Sequence, residues 1–128
     1  MDQLADMFVK IKNANSAGHD TALVGYSQIK FNIAKLLEAN GFVRQVVRRG
    51  KKARRLIEVH LKKEAGRPGI AGFRRISRSS RRIYGGWREL KRYAQGRGTL
   101  VVSTPQGVLT HGEAIKQKVG GEIIGIVW

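Results

Sequence analysis

The hydrophobic alternation of Ile57, Val59 and Leu61 against Glu58, His60 and Lys62 stops abruptly at EAGRPGIAG, residues 64–72. Gly and Pro concentrated over so short a stretch interrupt helices and strands alike. A chain of 128 residues therefore either turns sharply inside one core or divides into two small domains. We take the second reading, with domains 1–65 and 66–128.

Before the break, Asp2 can cap a helix whose Leu4, Met7, Phe8 and Ile11 recur at the three-and-four spacing of one buried face, with Asn13, Asn15 and Gly18 at its fraying end. TALVGY (residues 21–26) reads as a strand. Ser27 then caps a second helix with Ile29, Ile33, Leu36 and Leu37 facing inward, closed by Gly41. Residues 42–49 and 53–63 form a hairpin about Gly50. After the break, FRRISRSSRRIYGGW suggests two short basic strands around Ser79 and Ser80. Residues 86–93 are ambiguous, with a helical turn of Trp87, Leu90 and Tyr93 as one reading and Trp87 expected in the core. A strand over 98–103 and a final strand over 122–128 flank a short helix, residues 111–118, announced by the capping-box spacing of Thr110 and Glu113 and stopped by Gly120 and Gly121. The fold class is α+β: two small domains, an N-terminal α-β-α-β-β unit and a C-terminal mainly β unit with one short inserted helix.

Charge narrows the function. Residues 1–43 are neutral, residues 44–92 hold eighteen Lys and Arg against three acids, and residues 93–128 hold three against two, so nearly all of the net +16 lies in the middle. Such a segment attracts polyanions through release of condensed counterions, which positions a protein without specifying a sequence. No apolar run approaches the roughly 18 residues of a membrane span. The opening MDQLADM is acidic at its start, has neither the positive n-region nor the apolar h-region of a signal peptide and is unlike an Arg-rich transit peptide, so neither is expected. The absence of Cys excludes disulfides, a thiolate nucleophile and Cys-ligated zinc, and fits a reducing cytoplasm.

Enzymatic readings fail on residue supply. GVLTHGE spaces Gly107 and Gly112 as in a phosphate-binding P-loop, but Glu113 stands where that loop needs Lys. His19, His60 and His111 are the only histidines, no G-x-S-x-G elbow occurs, and no metal cluster can be assembled; His60 is expected as a strand residue and His111 in the first turn of a helix. Ser103–Gly107 is either an ordinary turn or a recognition site, since hydroxyls and free N–H groups can meet phosphate, ribose or base edges without charge. Small polar groups of this kind suit the broad, shallow minor groove of A-form RNA. Tyr84, beside Arg81 and Arg82, is open between base stacking and the core.

Three blocks, DQLADMFVKIKNAN, GFRRISRSSRRIYGG and STPQGVLTHGEAIKQKVGGEIIGIVW, resemble the bacterial-type small-subunit ribosomal protein S8 family over essentially the whole chain. The resemblance implies a two-domain, non-catalytic scaffold that binds small-subunit ribosomal RNA early in assembly and helps organise its central domain. Its setting would be the cytoplasmic ribosome beside neighbouring small-subunit proteins, with no cofactor, metal, small-molecule substrate or membrane. Some members also repress their own messenger RNA. By the same resemblance Ser103, Thr104, Pro105, Gln106 and Gly107 form the recognition turn, followed by Thr110 and His111, with Gly120, Gly121 and Glu122 beside it. Asp2, Asp6, Lys10, Lys12, Asn13 and Asn15 belong to the first helix and its RNA-facing side, and Lys30 is counted with them. Arg74, Arg75 and Ser77 match the basic strand, and Tyr84 its aromatic partner. The chain departs from the family at Pro105, where Ser is common, which removes one N–H and one hydroxyl from the turn. His111 stands where an acid is common, which makes the helix start less negative.

Overall fold

The computed structural model describes residues 2–64, 67–94, 96 and 98–128. Ala65 and Gly66, on which the expected domain boundary falls, lie outside the described residues. The chain falls into two compact units, residues 3–71 and 72–128, with Asp2 grouped with the second.

In the first unit α1 (Gln3–Ser16), β1 (Thr21–Gly25), α2 (Gln28–Ala39), β2 (Gln45–Arg49) and β3 (Leu56–His60) follow in the expected order, and the two-residue strands β4 (Lys63–Glu64) and β5 (Arg67–Pro68) pair after them. Helix α1 buries Met7, Phe8 and Ile11. The N–H of Lys30 donates to Ser27 Oγ at 3.2 Å and so starts α2. At its end Gly41, with φ +77°, lets the N–H groups of Gly41 and Phe42 turn back onto the carbonyls of Glu38 and Leu37, the paired closure of a Schellman end.

The inward face of α2 differs from expectation at one position. Ile29 is 38% exposed, whereas Lys30 is only 9% exposed. The buried stripe centres on Ile33, Ala34 and Leu37, and Lys30 precedes the first two by three and four residues, so its aliphatic stem lies along the core. Strand β3 is central and antiparallel to both neighbours; its register sets Val59 opposite Ala22 and Val46, and these side chains with Val24 and Ile57 form the inner face. The hairpin arms are shorter than expected because a 3-10 turn, Lys52–Arg54, occupies part of the connection.

The second unit is an antiparallel sheet in the order β6–β10–β8–β9, with β7 also on β10. Its elements are β6 (Phe73–Arg75), β7 (Tyr84–Gly85), α3 (Leu90–Ala94), β8 (Thr99–Thr104), β9 (Gly107–Thr110), α4 (His111–Gln117) and β10 (Gly121–Val127). Arg78 and Arg81 form a bridge around the expected Ser79–Ser80 turn. A bulge between Ile123 and Gly125 lets Ile123 face Val102 and Ile126 face Leu100 on one side, which strict alternation along IIGI would forbid. Leu90 and Ala94 of α3 and Ala114 of α4 complete that core.

Three expectations for this unit change. It contains two short helices instead of one, since α3 forms in the stretch left ambiguous. Trp87 stays half-buried outside the core cluster with the Arg88 guanidinium 5.0 Å from its ring, because Leu90 fills the place expected of it. Gly120 and Gly121 do not stop α4; Lys118 does, in a left-handed conformation (φ 56°), with Val119 N–H donating to Ala114 O at 3.0 Å.

Candidate nucleic-acid interface

Antiparallel register brings together residues far apart in sequence. Glu122 pairs with Tyr84 on one side and Ser103 on the other, and Ser103 pairs in turn with Val108. Paired residues point to the same face, so Tyr84, Glu122, Ser103 and Val108 form one row across four strands. Two strand spacings separate Tyr84 from Ser103, about 10 Å. Tyr84 is 64% exposed, which answers the question of core or surface for this ring.

The turn at the end of that row is held from within. Thr104 Oγ1 accepts from Gln106 N–H at 3.0 Å and donates to Gly107 O at 2.8 Å, so its hydroxyl closes the turn. Pro105 and Gln106 sit exposed at the tip, and Gly107 adopts φ +113°. Ser103 is half-buried, and its hydroxyl has no hydrogen-bond partner among the described residues. The two hydroxyls expected to act together therefore have different roles. Gly120 and Gly121 lie against this turn and β7: a methyl on Gly121 would overlap the carbonyl of Ser103, and one on Gly120 would come within 2.8 Å of Gly86 Cα.

Several expected contact residues are committed inside the protein. Ser77 is fully buried; its hydroxyl donates to Glu122 Oε2 at 2.5 Å and accepts from Ile83 N–H at 3.1 Å, so it positions Glu122 and cannot itself touch a large partner. Arg82 Nη1 donates to the same carboxylate at 3.2 Å, a contact with no sequence signature because it spans 40 residues. Arg75 Nε donates to Asp2 Oδ2 at 2.6 Å and its Nη1 donates to Ile124 O at 3.0 Å, which removes both Asp2 and Arg75 from the set of free charges. Thr110 is buried in the expected capping box: Glu113 N–H donates to its Oγ1 at 3.2 Å, and its own N–H donates to Glu113 Oε1 at 3.2 Å. Arg74, Arg78 and Arg81 are exposed with no carboxylate partner among the described residues.

In the first unit Asp6 pairs with Lys10 at 3.4 Å on the surface of α1, Lys12 and Asn13 are exposed, and Asn15 is half-buried. Lys30, being buried along its stem, offers less than the others. His60 sits beside Glu58 and Arg44, whose Nη2 donates to its Nδ1 at 3.4 Å, and among the described residues no three ligand-type side chains gather.

His111 sits beside Leu100, at the opposite end of the β8–β9 hairpin from the turn, and adds no positive charge to it. Leu100 N–H donates to its Nδ1 at 3.1 Å, and burial holds the imidazole below its ordinary pKa of 6.5. The fold thus favours the neutral ring. This contribution is complete above the unfolded pKa and is lost as pH falls through the lowered folded value. Glu38, lowered by its Lys35 hydrogen bond, and Glu58, lowered by Arg49, act only below the ordinary carboxylate value of 4.5. Thermal unfolding should therefore lose midpoint from about pH 7 to about pH 5 in the wild type. His111→Asn, which can accept from Leu100 N–H without titrating, should be flatter over the same window; equal slopes would refute the assignment.

Comparison with known proteins settles the lineage. The family model described as "Ribosomal protein S8" matches residues 2–128. The chain belongs to the ribosomal protein S8 family. It is 37% identical over 131 residues to the small ribosomal subunit protein uS8 of Endomicrobium trichonymphae, covering 100% of this chain and 98% of that protein. It is 39% identical over 132 residues to the uS8 of Salinispora arenicola, with 99% and 97% coverage. The uS8 of Mycoplasmopsis agalactiae is 36% identical over 127 residues, again with 99% and 97% coverage. Ribosomal protein S8 is a structural protein of the cytoplasmic ribosome and not an enzyme. Among the described residues no helix is long and apolar enough to cross a membrane.

Proposed function

We propose that the protein is a scaffold of the small ribosomal subunit whose second unit binds small-subunit ribosomal RNA directly. The Ser103–Gly107 turn and the row of Tyr84, Glu122 and Ser103 give register and specificity, while exposed cations such as Arg74, Arg78 and Arg81 give phosphate attraction. The observation that carries the reading is the unengaged Ser103 hydroxyl on a turn that Thr104 keeps rigid. In line with the family resemblance, the protein acts early, on the central domain of that RNA and beside neighbouring small-subunit proteins. The same surface would hold its own messenger RNA where that message folds into a similar helix.

The committed and free residues respond differently to mutation. Ser103→Ala should leave the unfolding midpoint unchanged and weaken cognate RNA about tenfold, the effect of one hydrogen bond, while sparing nonspecific RNA. Thr104→Ala should lower both stability and affinity. Arg74→Ala should reduce the slope of log affinity against log salt by about one for every RNA, whereas Arg75→Ala should chiefly lower stability. Gel shifts over a salt series, run beside thermal melts, read all four. Loss of discrimination by Arg74→Ala with none by Ser103→Ala would overturn this division of roles.

A further inference from the structure

The chain has four asparagines, Asn13, Asn15, Asn32 and Asn40, and of these Asn40 is the one followed by glycine. Asn13 and Asn15 lie within α1 and Asn32 within α2, whereas Asn40 stands just past the last residue of α2 as its C-cap. Both Asn40 and Gly41 are exposed. An asparagine amide is an electrophile close to the next backbone nitrogen, and glycine, having no Cβ, leaves that nitrogen unhindered. Among the described residues a methyl built on Gly41 would meet Lys62 Nζ alone, at 3.6 Å, so the pair has room to close into a ring.

The fold restrains the two reacting groups with their own hydrogen bonds. Asn40 Nδ2 donates to Leu36 O at 2.8 Å, which fixes the amide against the helix. Gly41 N–H donates to Glu38 O at 3.2 Å, so the nitrogen that would attack points its proton into the last turn. Asn40 has ψ 10°, and rotating that bond toward attack carries Gly41 N away from Glu38 O. Reaction therefore needs the final turn of α2 to open, and helix ends open far more readily than a whole domain.

We propose that Asn40–Gly41 is a self-modifying site, at which fraying of the α2 end lets the backbone nitrogen of Gly41 attack Asn40 Cγ. The bond from Gly41 N to Cγ forms and the Cγ–Nδ2 bond breaks. The amide nitrogen leaves as ammonia, its third hydrogen balanced by the proton that Gly41 N gives up to solvent. Water then opens the cyclic imide at either carbonyl, giving aspartate or isoaspartate at residue 40. Either product loses the Nδ2 donor to Leu36 O and sets a carboxylate at the carbonyl end of α2. It stands two residues from Glu38, whose own carboxylate ties α2 to β2 by accepting Val46 N–H at 2.7 Å. Isoaspartate also lengthens the backbone between α2 and β2 by a methylene. The modification thus loosens the helix end that had restrained it.

The test incubates the full chain, folded and in denaturant, in mildly alkaline buffer. It follows the tryptic peptide Leu36–Arg44 by mass and reads isoaspartate with an isoaspartyl methyltransferase. Residue 40 should become acidic about tenfold more slowly in the folded chain than in the unfolded chain, the effect of two hydrogen bonds. Asn13, Asn15 and Asn32 should stay amides in the folded chain. Urea well below the unfolding midpoint should already speed the reaction at residue 40. Asn40→Gln, which keeps an amide but must close a larger ring, should abolish it. Asn40→Asp, one of the two products, should melt about 4 °C earlier than wild type. A folded chain whose residue 40 stays an amide for as long as the unfolded chain takes to convert would overturn the site. Equal rates in the two states, or acceleration confined to the global unfolding midpoint, would remove the control by α2 and with it the proposal. Conversion of Asn13 or Asn15 as fast as Asn40 in the folded chain would have the same force.

Discussion

Gly121→Ala should lower the stability of the protein by about 3 kcal/mol, the upper range for a forced overlap in a packed region, and its unfolding midpoint by about 10 °C. The added methyl would overlap the Ser103 carbonyl oxygen, lie 2.8 Å from Ser103 C and 3.1 Å from Thr104 Cα. All three are backbone atoms, so no rotamer change relieves the clash. Relief requires β10 to move away from β8 at the pair Glu122–Ser103, which also displaces the turn. RNA binding should fall together with the melting temperature. Gly112→Ala is the control: within α4 the nearest atom to its new methyl is Thr110 Oγ1 at 3.9 Å, and the exchange should stabilise by about 0.5–1 kcal/mol. A Gly121→Ala midpoint within a degree or two of wild type would mean that β10 slides freely, contrary to the close approach described.

Ser77→Ala should cost about 2 kcal/mol, although it removes a single oxygen. That oxygen both receives Ile83 N–H and donates to Glu122, and no water can replace it without opening a fully buried position. The Ile83 N–H is left without a partner and Glu122 keeps Arg82 alone. Chemical denaturation of Ser77→Ala, Glu122→Gln and the double variant checks this: the two single losses should exceed the double loss by about 1 kcal/mol. Additive losses would show that the serine and the carboxylate act independently.

How much of this was legible in the chain depended on distance along it. The Ser27 cap, the Thr110–Glu113 box and the Gly41 closure follow from hydrogen bonds whose partners lie within five residues, so composition and spacing reveal them. The resemblance marked the Ser103–Gly107 turn but could not tell a hydroxyl that closes it from one that is free. Ser77 with Glu122 and Asp2 with Arg75 span 45 and 73 residues, and both depend on strand register. Register was hidden by the bulge at Ile124, since a one-residue shift inverts which side chains share a face. The Ile29 and Lys30 exchange had another cause: a long cation buries its stem as readily as an isoleucine, so hydrophobicity alone misorients the helix by one position.

The two hydrogen bonds of the Thr104 hydroxyl have an entropic consequence. Ordering a backbone residue costs about 1–2 kcal/mol, and a loose turn would meet that cost when a partner arrives. Here two hydrogen bonds meet part of that cost during folding, so the Thr104 hydroxyl shapes the turn before a partner arrives. A partner that fits this shape has less ordering to bring about than one that requires the turn to change.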